Sequence, residues 1–214
     1  MRVKLPAYIG FILLCLEIAF LIFLFAHDKE LSLSLLTTVA ANHAGGRLAF
    51  IAVGLEMGLS SYFIIGFITL HNTMYLLLAY SAFVYSFEHI PRLRLIWNYI
   101  HSLRENASRR RKILKKWNWI GIAFFVWIPL PWTGAVIGSY IAHLEGYPPR
   151  ETLILVAPAM WAGIITWTIW FDILYESLEK IGKGKTIFLT LFLLGVPVGI
   201  YIFEWIKRSR RSRK

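Results

Sequence analysis

Asn-His-Ala-Gly-Gly-Arg at residues 42–47 interrupts a hydrophobic stretch of this chain, and Pro-Leu-Pro-Trp-Thr-Gly at residues 129–134 interrupts another in the corresponding position of the other half. Hydrocarbon offers no partner to backbone N–H and C=O groups, so a chain that stops being helical at membrane depth must pack against protein or line a cavity. Paired interruptions of this kind are typical of binding sites in transporters built from internal repeats. The two breaks therefore predict two hairpins, at residues 31–60 and 119–146, that meet at a ligand site.

The composition is that of an integral membrane protein. Of the 214 residues, 57% are hydrophobic and only 16% are charged, whereas about a quarter of the residues in a soluble domain carry charge. The mean hydropathy is +0.59, and the length suits one membrane domain. The net charge of +11 is confined to segments beside apolar runs, which indicates contact with anionic lipid headgroups and not with nucleic acid.

Apolar runs divide the chain into five segments of an all-α membrane protein. They are an N-terminal transmembrane helix with a short outer loop (1–30), a re-entrant hairpin with a span (31–88), a basic amphipathic interfacial helix (89–118), a second hairpin with a span (119–175), and an outer loop, last span and basic tail (176–214). Each predicted hairpin arm would cover little more than half of the ~30 Å hydrocarbon core. Hairpin and span thus form a repeated unit.

The distribution of charge predicts the topology. If each hairpin leaves the membrane by the face it entered, the N-terminus, residues 88–116, residues 147–151 and the tail share one side, which holds 18 of the 23 lysines and arginines. This asymmetry places that side, with both termini, in the cytoplasm at the plasma membrane, and it gives the two repeats opposite orientation. A competing topology lets residues 48–68 cross fully, but residues 74–87 are then too short to cross easily.

Arg47 is the one basic residue assigned to neither surface. A charge at membrane depth costs ~2.5 kcal/mol or more and usually marks an ion or substrate path. We expect its guanidinium, together with the free N–H groups of half-helix termini, to bind a phosphate or carboxylate. The alternative is a shallow hairpin whose arginine snorkels to the headgroups. The second break adds the candidate substrate-binding residues Pro129, Pro131, Thr133 and Gly134.

Two carboxylates are candidates for ion coupling. Glu56 lies in the same hairpin arm as Arg47 and could pair with it or take up a proton; the alternative is a buried structural ion pair. Glu17 lies in the middle of the first span, where a carboxylate is a functional candidate by default and where a hydrogen bond to a neighbouring helix is the simpler interpretation. His71 and Asn72 lie in a polar patch that either faces the cavity or packs inside the protein.

Small residues predict how the hairpins pack. Gly54 and Gly58 are four residues apart in the second arm of the first hairpin, and Gly134 and Gly138 have the same spacing in the second hairpin. Such pairs let helices approach closely. We therefore expect these two second arms to pack against each other.

The second break resembles a known family. Residues 129–135 are similar to the Pro-Leu-Pro-Gly-Thr-Gly-Ala turn of the small multi-drug export protein family, within the wider DedA/VTT superfamily, and the stretch that begins at Gly46-Arg47 resembles that family's Glu-x-Arg-Gly-Ala-Ile-Pro motif. The resemblance implies a re-entrant inverted-repeat fold and either movement of lipids, including polyprenyl phosphates, or proton-linked export. Gly45 stands where the family has its glutamate, so Glu56 or Glu17 would have to carry coupling.

The sequence contains no pattern typical of an enzyme. Paired carboxylates, a nucleophile motif and metal-ligand spacing are all lacking, so we expect no catalytic activity, cofactor or metal. The predicted function is a transporter or lipid translocase that moves an anionic lipid or a small amphipathic substrate, with membrane lipids as partners and with self-association left open. The alternative is a membrane scaffold or assembly factor that binds anionic lipid through the interfacial helix and the basic tail.

Overall fold

A computed structural model describes residues 4–89, 111–129 and 134–179, and every regular element in these ranges is an α-helix. The helices are α1 (Lys4–His27), α2 (Lys29–Gly45), α3 (Arg47–Glu56), α4 (Ser61–His89), α5 (Arg111–Trp127), α6 (Ala135–Leu144) and α7 (Pro149–Glu179). Three of them, α1, α4 and α7, are long and apolar enough to cross a membrane. The prediction of an all-α membrane protein is thereby confirmed for the described residues, as far as helix content, length and hydropathy are concerned. Most of the predicted interfacial helix, the last span and the basic tail lie outside the described residues.

The first hairpin is broken at a single residue. Gly46 has φ 76°, a conformation that glycine adopts at no steric cost, and its N–H donates to the Asn42 carbonyl at 2.9 Å. Helix α2 therefore continues to Gly45, and its 17 residues make it longer than the predicted arm, about 25 Å at 1.5 Å per residue. Helix α3 has only 10 residues.

A tight turn separates α3 from α4. Gly58 has φ 77°, and the Leu59 N–H donates to the Gly54 carbonyl at 3.0 Å, which ends α3. Ser60 Oγ then accepts from the Phe63 N–H at 3.3 Å at the start of α4. Because the helix is broken here, residues 48–68 do not form one continuous helix; whether they cross the membrane stays a prediction.

The second hairpin is formed by α5, which ends at Trp127, and α6 (Ala135–Leu144), so the predicted break at residues 129–134 lies between the two helices. The predicted boundary at residue 118 is different, because it falls inside α5. No glycine or proline occurs at residues 111–120, so nothing interrupts the helix between the basic segment and the apolar arm. Helix α7 begins with Pro149, a favourable first residue, and continues to Glu179, beyond the predicted end of its span.

The glycines close each hairpin on its own neighbours and not on the other hairpin. A Cβ added at Gly54 would lie 3.0 Å from the Ile64 side chain of α4 and 3.6 Å from that of Thr38 in α2. A Cβ at Gly138 would clash with the Val126 side chain of α5. The expectation that the two second arms pack against each other is therefore wrong. Gly58, predicted as a packing residue, has open space around its Cβ position; its positive φ serves the turn.

Helix α7 runs through two compact units of the chain. The first unit extends to Thr168, and the second begins at Ile169. Both hairpins and the part of α7 that contacts Arg47 lie in the first unit.

Candidate functional site

The side chain of Arg47 joins the first hairpin to the second. Arg47 is the first residue of α3 and is only 7% exposed. Its Nη2 donates to the carbonyls of Val126 and, at 3.2 Å, Ile128 at the end of α5, and its Nη1 donates to the Met160 carbonyl of α7 at 3.4 Å. The last carbonyls of a helix have no partner within it, and they attract cations. The guanidinium thus caps the end of the opposite hairpin arm, and the snorkelling alternative is wrong.

Gly163 of α7 provides the room for this contact. A Cβ at this position would lie 2.9 Å from both Arg47 Nη1 and the Trp127 carbonyl oxygen. The neighbouring Trp127 side chain is held by α7 as well, because its Nε1–H donates to Thr166 Oγ1 at 3.1 Å. Helix α7 therefore fixes the end of α5 in the position at which Arg47 reaches it.

An open cavity of about 300 Å³ lies where the two breaks meet. Its walls come from the tip of the first hairpin, the first turn of α6, and the middle of α4 and α7. The lining residues are Asn42, His43, Ala44, Gly46, Arg47, Asn72, Tyr75, Gly134, Ala135, Val136, Ile137 and Met160. Of the residues predicted to bind substrate, Arg47 and Gly134 line this cavity; their role in binding stays a prediction.

The electrostatics of this cavity favour an anion. The first turns of α3 and α6 both face it, and each helix has a glycine at its N-cap, Gly46 and Gly134, which has no side chain to cap the first N–H groups. The N-terminal half-charges of these two helices are offset by the C-terminal ends of α2 and α5, at roughly 0.5 charge each. Arg47 therefore determines the sign of the electrostatic potential in the cavity, because no acidic side chain is among the described residues that line it.

The structure describes some of the residues of the second break that were predicted to bind substrate. Gly134 lines the cavity as the N-cap of α6, and Pro129 is buried after the end of α5. Pro131 and Thr133 lie outside the described residues.

The predicted pair of Arg47 and Glu56 does not form. The two residues are the first and last of α3, nine positions apart, which corresponds to about 13 Å along the helix. Arg47 is bonded to backbone carbonyls instead, and Glu56 is partly exposed at the far end of the helix.

Glu17 and His71 are in direct contact. His71 Nδ1 lies 2.7 Å from Glu17 Oε1, and both side chains are largely buried, at 4% and 14% exposure. The sequence indicated a hydrogen bond from Glu17 to a neighbouring helix, and α4 supplies it. The two residues lie 54 positions apart in the chain, so no sequence pattern indicates that they pair.

Tyr75 and Met160 are cavity residues that the sequence did not indicate. An aromatic and a thioether side chain within apolar spans look like ordinary packing residues, so no signal distinguishes them. Asn72, from the predicted polar patch, lines the cavity, and its buried Nδ2 has no hydrogen-bond partner in the described part of the chain. This free donor adds a polar group that a ligand could use.

No group of three or more histidine, cysteine or acidic side chains that could hold a metal ion occurs among the described residues. The family described as “Putative small multi-drug export protein” matches residues 47–169, which is more than half of the chain and extends from Arg47, the last residue of the first break, through the second break to α7. The predicted family resemblance is thereby confirmed, whereas the wider DedA/VTT placement stays a prediction. Comparison with curated proteins and with solved structures gave no match.

Proposed function

Because the chain belongs to the family described as “Putative small multi-drug export protein”, we propose that it is a membrane transporter that moves an anionic amphiphile, such as a phosphate-bearing lipid, through the cavity at the two hairpin tips. The family name gives the class, an export protein. The positive charge of Arg47 at the cavity wall supports an anionic substrate.

The observation that carries this proposal is the buried, uncompensated charge of Arg47 at the cavity wall. Its guanidinium has five N–H donors, and three hydrogen bonds to carbonyls leave two of them without a protein partner in the described ranges. Carbonyls stabilise the cation but do not neutralise it, so the site keeps a full positive charge in surroundings of low dielectric. A phosphate or carboxylate supplies the missing counter-charge.

The size of the cavity favours a headgroup over a whole lipid. About 300 Å³ lies at the lower end of the range for ligand sites. It suits a phosphate headgroup, while the acyl chains of the same molecule would stay in the bilayer. This division fits lipid translocation of the DedA-like type and equally the export of a small amphipathic anion.

The same geometry suits alternating access. In the proposed topology, the two hairpins enter the plasma membrane from opposite faces as inverted repeats, with both termini in the cytoplasm. Their tips would then meet near the midplane, and rocking of one repeat on the other would open the cavity to each side in turn. Arg47, which bonds both hairpins and α7, lies at the contact that such a movement must rearrange.

The rival function, a scaffold recruited through the interfacial helix and the tail, depends mainly on residues outside the described ranges, and no described contact favours it. It gives no reason for a buried arginine beside a cavity. The transport proposal accounts for both the buried arginine and the cavity. It includes no catalytic step.

Filling the cavity should stop transport. We expect Val136→Trp, in the first turn of α6, to abolish the flipping of a fluorescent phosphatidylglycerol in proteoliposomes, because the indole would occupy the space where the headgroup binds. Ile141→Trp is the matched control: Ile141 lies on the same helix, is 38% exposed and does not line the cavity. Equal flipping by wild type and Val136→Trp would refute the cavity as the route.

A further inference from the structure

We propose that Glu17 and His71 form a proton-carrying pair whose protonation favours anion binding in the Arg47 cavity, so that a proton and an anion bind together. This inference rests on the proposed transport function and adds its coupling site. Glu17 lies before the range matched by the family, which begins at Arg47. The proposal therefore depends on the contacts of this chain alone.

The pair lies between two open spaces. On one side, Glu17 and His71 line an apolar cleft of about 480 Å³ between α1 and α4. On the other side, the His43 ring stands 5.6 Å from the His71 ring, centroid to centroid, and His43 lines the Arg47 cavity. A proton can thus reach the pair from the cavity, past His43, whereas the cleft on the other side is apolar.

The hydrogen bonds identify the atom that takes the proton. With Glu17 ionised, His71 Nδ1–H donates to its carboxylate, which leaves the lone pair of Nε2. This Nε2 is buried and has no partner among the described residues. A proton transferred there from hydronium in the cavity, or from His43 Nε2–H, forms an N–H bond as its bond to the donor breaks, and the pair changes from a net charge of −1 to 0.

His43 is oriented for the same exchange. Its Nδ1 lies 2.8 Å from the Val39 carbonyl, which can only accept, so Nδ1 carries the hydrogen and Nε2 is the nitrogen that gains or loses a proton. The His43 side chain is exposed, so it can exchange protons with water in the cavity.

The groups around His71 leave the charge of the pair uncompensated. The titratable and charged groups near it in the described part are Glu17 from α1, His43 from α2, Tyr75 from α4 itself, and Arg47 from α3 across the shared cavity. When the pair carries a net charge of −1, it repels an anion that binds at Arg47. When the net charge of the pair is 0, the anion is subject only to the attraction of Arg47. Coupling of this kind is reciprocal, so anion binding must in turn draw a proton onto the pair.

Proton uptake on anion binding tests this directly. Dioctanoyl phosphatidylglycerol, as a soluble phosphate-bearing probe, is added to the full-length protein in detergent in a weakly buffered solution with a pH dye, and its binding is followed in parallel by calorimetry. We expect wild type to take up protons on binding and to bind more weakly at alkaline than at acidic pH.

Glu17→Gln should bind the probe without proton uptake. Glutamine still accepts from His71 Nδ1–H and so preserves the contact, but a proton on Nε2 would now create a buried imidazolium without a counter-charge. The double variant Glu17→Gln/His71→Gln should behave like Glu17→Gln, since the proton site is already lost. Glu30→Gln, which removes an exposed carboxylate at the start of α2, should take up protons as wild type does.

The outcomes separate the two proposals. Probe binding with equal proton uptake in wild type and Glu17→Gln, or with none in either, would overturn the coupling pair while leaving the transport function standing. Absence of probe binding to wild type would overturn both. Uptake that is lost in Glu17→Gln and retained in Glu30→Gln supports the pair.

Discussion

Replacing Arg47 by alanine is expected to abolish transport and to lower the stability of the fold at the same time. The change removes the one lysine, arginine or acidic side chain among the described residues that line the cavity, so the anion loses its counter-ion. It also removes the hydrogen bonds from Arg47 to the Val126 carbonyl at the end of α5 and to the Ile128 carbonyl just after it. Loss of the donor to a buried acceptor costs about 1–3 kcal/mol. Lipid flipping in proteoliposomes and thermal unfolding in detergent measure the two effects separately.

Two further variants at this position distinguish charge from capping. Arg47→Lys keeps the charge, but a single ammonium cannot span carbonyls on α5 and α7 as the planar guanidinium does. We expect it to recover part of the transport and little of the stability. Arg47→Gln retains donors but no charge and should not transport. Flipping by Arg47→Gln at the wild-type rate would contradict the role of the charge.

Gly138→Ala is expected to open the second hairpin. The added methyl group would overlap the Val126 side chain, and a β-branched residue in a helix has essentially one rotamer, so it cannot turn away. Overpacking of this kind costs about 1–3 kcal/mol. Because Val126 also offers its carbonyl to Arg47, displacement of α5 should weaken that contact. We expect a lower unfolding temperature and slower lipid flipping.

The double variant Gly138→Ala/Val126→Ala should restore both properties in part, since the smaller side chain at position 126 vacates the space that the new methyl group needs. Gly121→Ala is the control within the same hairpin, because a Cβ there meets no atom within 4 Å. If the double variant were as unstable as the sum of its single changes, the proposed contact would not be the cause.

Within the described residues, local chemistry was enough to predict the helical segments and the two breaks. Gly46 ends α2 because of its positive φ, and the apolar run that follows is helical again. The boundary at residue 118 was misplaced for a related reason: a change from basic to apolar composition marks the membrane surface, not a helix end, and only a glycine, a proline or a cap would have ended α5 there.

The partners of the charged groups could not be predicted in the same way. Arg47 was singled out because a charge at membrane depth needs a partner, but its acceptors are backbone carbonyls, which every residue possesses. For Glu17 and His71, each residue was noticed alone, yet only the packing of α1 on α4 brings them together. The predicted packing partners of Gly54 and Gly138 were wrong for a similar reason, since the spacing of small residues does not specify the helix that they contact.

Protection of cysteines by substrate tests the central claim most directly. In a Cys15→Ser background, single cysteines at Asn42 and Val136 place one thiol on each hairpin tip, and Tyr62→Cys, whose parent residue is 89% exposed and outside the cavity, serves as the control. If both tips line one anion route, dioctanoyl phosphatidylglycerol will slow thiol labelling at positions 42 and 136 together and leave position 62 unchanged. Labelling at 42 and 136 that the lipid does not affect, or protection of only one of them, would contradict a shared cavity.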